Sequence, residues 1–120
     1  MKFLIIYFFL IKLISSEQIG LLSDLKWKKR IIIIADDENF NFNKRVKKYR
    51  KEIEEREISI IFFNKNIAYL DNKIISKKFS NSVEKKIRNI NPYHRLILIG
   101  KDGRVKNSYL CETELEKIFY

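Results

Sequence analysis

Apolar residues in this chain come in short dense runs separated by charged stretches, and the period of each run sets its reading. Phe3 to Ile11 is an unbroken apolar run of nine residues, and Leu13 and Ile14 extend it past Lys12. No polar residue interrupts the run, so neither a period of two nor one of 3.6 appears. Lys2 lies before it, the small residues Ser15 and Ser16 lie after it, and the chain then turns polar. These are the three parts of a secretory signal peptide. The run is also short of the roughly 20 apolar residues that a helix needs to cross a bilayer. Residues 1–16 are therefore expected to be an export signal cleaved after Ser16. An uncleaved anchor and a buried core element are the alternatives, and no Cys follows the run to carry a lipid.

The remainder, residues 17–120, is enough for one domain and not two. Arg30 to Ala35 is a β-branched run ended by acids, which predicts a central strand buried on both faces. Phe42, Val46, Tyr49 and Ile53 then fall at helical spacing, with charges four apart on the other faces (Lys48 with Glu52, Lys51 with Glu55, Glu52 with Arg56). Ile58 to Phe63 predicts a second buried strand, so the first three elements form a parallel crossover unit. Ile67 to Leu70 and Lys73 to Ile75 flank Asp71-Asn72, the pattern of a small hairpin. Asn81 with Glu84 can cap a second helix that aligns Val83, Ile87 and Ile90. Asn91-Pro92 ends that helix. Arg95 to Gly100, the turn Lys101-Asp102-Gly103 and Val105 to Tyr109 predict a closing hairpin. A last helix from about Glu112 turns Leu115, Ile118 and Phe119 inward. The order β-α-β-α-β-β-α predicts a three-layer α/β domain of thioredoxin-like type. Its mixed sheet has about four strands, with helices on both faces.

Composition narrows the chemistry. Cys111 is the only cysteine and His94 the only histidine. An intramolecular disulfide, a Cys-x-x-Cys redox pair, a cysteine-based zinc site and multi-histidine metal sites are thereby excluded. Formal charge is +10, or +8 without Lys2 and Lys12. Such a balance invites a polyanion. Against that, Lys is abundant throughout and the charges look scattered rather than striped, which favours a compositional origin. Nucleic acid is not expected as a partner of an exported protein. Membrane attachment is expected only if residues 1–16 stay in place.

Trp27-Lys28-Lys29-Arg30 before the first strand, Arg56-Glu57 opening the second, and Leu98 to Lys106 across the final hairpin form a recognisable set. With these motifs, residues 22–119 resemble the bacterial domain of unknown function 4174, also called the prokaryotic DUDES domain. The motif residues are Trp27, Arg30, Arg56, Gly100, Lys101, Asp102, Gly103 and Lys106. Two features depart from the pattern: Glu57 stands where members usually have Asp, and the Met-Pro-rich tail that many members carry past the last helix is not seen before Tyr120. The resemblance implies a thioredoxin-like, peroxiredoxin-related fold and a secreted or periplasmic location. It implies no established activity.

Redox-active relatives of that fold carry their Cys in the loop after the first strand, where amides and a helix dipole stabilise the thiolate. Here that loop is Asp36 to Asn41 and holds no Cys, while Cys111 sits at the other end of the fold as an expected inert thiol. Arg95, near where peroxiredoxins place an activating Arg, is expected to be a structural or surface residue. Asp36, Asp37 and Glu38 are candidate Mg²⁺ ligands with oxygen donors. They also resemble the acidic opening of a response-regulator receiver, but the receiver's phosphoacceptor Asp and later Thr and Lys are missing. Trp27 is expected to lid the core and Arg30 to pair with an acid such as Asp36 or Glu57, a binding surface being the alternative. The expectation is a non-catalytic binding or structural domain of the cell envelope with no cofactor, partnered by a polyanion or an envelope protein. The alternatives are an unconventional peroxiredoxin-related enzyme and a Mg²⁺-binding acidic-loop domain.

Overall fold

A computed structural model describes residues 19–35, 46–110 and 118. The expected export segment, the acidic loop with Asp36, Asp37 and Glu38, Phe42, Cys111 and the last helix apart from Ile118 lie outside these residues.

Strand β1 spans Arg30–Ala35 and β2 spans Ile58–Asn64. They pair in parallel, with Arg30 opposite Ile58 and Ala35 opposite Phe63. Alternation along β1 sends Ile31 and Ile33 to one face and Ile32 and Ile34 to the other, and all four are buried. That is why the run shows no polar position: both faces of the strand are covered. Each of these side chains contributes about 1.5–3 kcal/mol by leaving water. Between the strands, helical residues 46–48 lead into helix α1, Arg50–Glu55. Val46, Tyr49 and Ile53 pack together on one face of the sheet, as their spacing predicts. An Arg50–Glu54 pair spans one turn of its outer surface.

The middle of the chain adds two strands rather than standing apart. β3, Ile67–Leu70, pairs antiparallel with β2, and β4, Lys73–Ile74, pairs antiparallel with β3. Each connection has two residues, Lys65-Asn66 and Asp71-Asn72, and all four carry positive φ. This is the geometry of type I′ turns, whose twist matches that of the strands they join. Helix α2 spans Lys77–Ile87, and its N-cap is Ser76, whose Oγ accepts from Phe79 N at 3.1 Å. Asn81 is therefore inside the helix and not its cap. The early start buries Phe79 as well as Val83, while Ile87 and Ile90 pack partly against the same core. β5, Leu96–Ile99, and β6, Val105–Tyr109, form the closing hairpin.

The sheet order is β4-β3-β2-β1-β5-β6, so it has six strands and not about four. The difference arises at the two-residue turns, which fold the middle hairpin onto the edge of β2. One face carries α2 and a 3-10 turn at Leu22–Leu25, whose Leu22 and Leu25 are buried. The other carries α1, Tyr109 and Ile118. Ser80 ties α2 to β3, its Oγ accepting from Ala68 N at 2.9 Å in a buried setting. No helix among the described residues is long and apolar enough to cross a membrane.

Candidate functional site: a basic groove at one end of the sheet

β1 and β2 begin, and β5 ends, at the same end of the sheet, because Arg30 opposes Ile58 and Ile31 opposes Ile99. Three motifs far apart in sequence are thereby brought together. Arg30 Nη1 donates to the carbonyl of Arg56 at 2.9 Å, and Arg30 N donates to the carbonyl of Glu57 at 3.0 Å. Lys101 Nζ reaches Glu57 Oε2 at 2.8 Å, joining the closing hairpin to the start of β2. Trp27 N donates to the carbonyl of Lys101, which ties the segment before β1 to the same turn.

The turn itself is closed by short-range bonds. Gly103 N donates to Gly100 O at 3.0 Å, and Gly100 N donates to Arg104 O at 3.0 Å. Asp102 accepts from Arg104 N at 3.0 Å and from Lys106 Nζ at 2.7 Å. Gly103 has φ 79°, a conformation that favours glycine. The Lys26 side chain runs alongside it, 3.5 Å from where a Cβ would stand.

Trp27 does not lid the core. It is 69% exposed, with φ 68°, a left-handed conformation that costs a non-glycine residue about 1–2 kcal/mol. The cause is local: Leu22 and Leu25 of the 3-10 turn cover the core, and the bond to Lys101 carries the next residues across the sheet end. The Lys26 ammonium lies over the indole, 5.6 Å from its centroid. Arg30 is engaged by the Arg56 carbonyl as well as by the field of Glu57, whereas Asp36 lies outside the described residues.

Beside this network is a groove of about 1100 Å³ between the 3-10 turn, α2 and the closing hairpin. Its floor is apolar, with Leu22, Ile31 and Ile99. Its walls carry Lys26, Lys29, Lys78, Lys85, Lys86 and Arg104. Asp102 is the one carboxylate among the lining residues, and it is already held by Lys106. Six of the chain's 25 Lys and Arg residues, from three separate stretches of sequence, therefore line one groove. Lys78, Lys85 and Lys86 recur at i, i+7 and i+8, one stripe of a helix, which is the signal that sequence reasoning passed over.

The acids at this end are each turned to structural use. Asp24 accepts from Gly20 N at 2.8 Å and Leu21 N at 2.9 Å, and these bonds, Leu21's first, hold its carboxyl below the usual range. The Lys101 hydrogen bond and charge lower Glu57, with Lys29 and Arg30 adding to it. The Lys106 bond, then the Arg104 amide, lowers Asp102. Lys78 lies in the field of Asp24, Lys29 in that of Glu57 and Arg104 in that of Asp102, so the groove cations share this end with ionised carboxylates that are hydrogen-bonded to Gly20, Leu21, Lys101 and Lys106. The groove's chemistry suits an anion, held by ammonium and guanidinium donors over an apolar floor.

The single histidine and Arg95 lie elsewhere. His94 Nδ1 is 2.6 Å from Ser108 Oγ, and the main chain of Arg95 bonds Tyr109 O and Ala35 N, both at the opposite end of β1 and β5. Among the described residues no group of His, Cys, Asp and Glu is arranged to hold a metal ion.

Residues 21–120 match the family model described as Domain of unknown function (DUF4174), one residue wider at each end than the resemblance read from the motifs. Neither the curated proteins nor the solved structures contain a match to this chain.

Proposed function

The chain belongs to this family of unknown function, and from that membership and the geometry above we propose that it is a non-catalytic, exported binding domain whose basic groove takes an anionic ligand. The observation that carries the reading is the convergence of Lys26, Lys29, Lys78, Lys85, Lys86 and Arg104 on one groove beside the motif network. The motif residues knit the sheet end that supports the groove. They lie at the opposite end of β1 from the loop where redox relatives carry their nucleophile, which favours binding over peroxide or disulfide chemistry. The central strands β2-β1-β5-β6, one parallel pair followed by two antiparallel ones, support a thioredoxin-like reading with β3 and β4 added at one edge. The apolar run at Phe3 to Ile11 supports export to the envelope or beyond.

Retention of the protein on immobilised heparin, eluted by salt, tests the binding reading. Lys85→Glu with Lys86→Glu is expected to elute at markedly lower salt than the parent. Lys47→Glu with Lys51→Glu changes the same charge on the other side of the sheet and is expected to elute close to the parent. Equal shifts in the two variants would reduce the groove to bulk charge and overturn the reading.

A further inference from the structure

We propose that the anion taken by this face is the headgroup layer of an anionic bilayer, with Trp27 seated among the headgroups. The inference rests on the basic-groove reading and names its ligand. Cations alone would serve a soluble polyanion. Here an indole, 69% exposed, is held out beside them by the bond from its own amide to Lys101 O. Lys26 joins the two features, lining the groove with its stem along Gly103 and its ammonium over the indole. Val105, 38% exposed, adds a second apolar side chain on the groove rim. An amphipathic ring among long basic side chains matches a membrane interface, where the ring sits at headgroup level and lysine stems lie along apolar surface. Each basic residue brought near an anionic surface strengthens attachment by roughly fivefold. The proposed mode needs no spanning helix and is independent of residues 1–16.

Trp27 is the chain's only tryptophan, so its emission reports this face alone. The full chain is titrated with vesicles of phosphatidylglycerol and phosphatidylcholine in equal parts, and with vesicles of phosphatidylcholine alone. The expected result is a blue shift and quenching by brominated lipid with the anionic vesicles only. The shift should reverse as salt rises from about 0.1 M to about 1 M, where the screening length falls from about 10 Å to about 3 Å. Lys85→Glu with Lys86→Glu should weaken attachment at least tenfold, and Trp27→Ser should weaken co-sedimentation while Trp27→Phe largely restores it. Co-sedimentation with unchanged Trp27 emission would overturn the proposal, because another segment would then be holding the chain. An equal shift with neutral vesicles would overturn it as well. Heparin binding without any vesicle binding would sink the bilayer proposal and leave the anion-binding reading standing; loss of both would remove the two together.

Discussion

Replacing Ser80 with Ala deletes a single oxygen from the interior. The Ser80 side chain is 4% exposed and its Oγ receives the Ala68 amide at 2.9 Å. Ala68 is itself fully buried, and β4 reaches only Tyr69 and Leu70 on that edge of β3. Without the hydroxyl, the Ala68 N–H is left buried with its acceptor removed. A buried donor in that state costs about 1–3 kcal/mol, more than the net worth of the bond, because its desolvation is no longer offset. Only the volume of one oxygen is vacated, because Cβ stays in place, so the cavity contribution is small beside this. Taking about 2 kcal/mol, and about 4–8 °C of midpoint per kcal/mol for a domain of this size, Ser80→Ala is expected to melt about 8–16 °C lower. Circular dichroism measures the midpoint, and amide hydrogen exchange at Ala68 should quicken alongside it. A midpoint within about 2 °C of the parent, with the Ala68 amide still protected, would refute the reasoning, since a drop of that size is at most half of what 1 kcal/mol produces.

Further expectations follow from the same packing. Phe79→Ala empties a position that is 0% exposed between α2 and the sheet, and should cost about 3–5 kcal/mol in denaturant unfolding. Gly103→Ala keeps ordinary contacts with Lys26 but forces φ 79° on an L side chain, and should cost about 1–2 kcal/mol without loss of fold by circular dichroism. On the acid side, Asp24, Glu57 and Asp102 all hold their protons less tightly in the folded chain than their ordinary values of 3.8, 4.5 and 3.8. Their contribution is fully present above those values and is lost as pH falls through the lower folded ones, so the melting midpoint should be flat near neutrality and drop below about pH 4.5. Glu57→Gln should flatten that acid limb, which a pH series of thermal melts would read directly; an unchanged limb would show that the Lys101 pair plays no part in it.

How much of this was legible beforehand varies from element to element. The strands Arg30–Ala35 and Val105–Tyr109 stand where the apolar pattern puts them, and the hairpin about Asp71-Asn72 forms. These are local matters: β-branched runs and short turns carry their geometry within a few residues. Helix α2 began four residues before its expected cap because Ser76 and Phe79 act together, the first closing the helix end and the second reaching the core. Capping alone could not rank Ser76 above Asn81; burial of Phe79 did. Trp27 shows the same limit in reverse. An aromatic side chain reads as core by composition, yet two leucines of the preceding turn had already covered the face it would fill.

The sequence by itself determined the unbroken apolar run that buries β1 on both faces, the family to which residues 21–120 belong, and the thiol and histidine counts that exclude whole classes of chemistry. Tertiary structure decided the six-strand order, the exposure of Trp27 and the groove. The physical reason is distance along the chain. Lys26 and Arg104 are separated by most of the domain, and no local propensity brings them together. They meet because β1 runs antiparallel to β5, so that the start of one strand lies beside the end of the other. Six cations far apart in sequence come to line one groove once the sheet fixes which ends are neighbours.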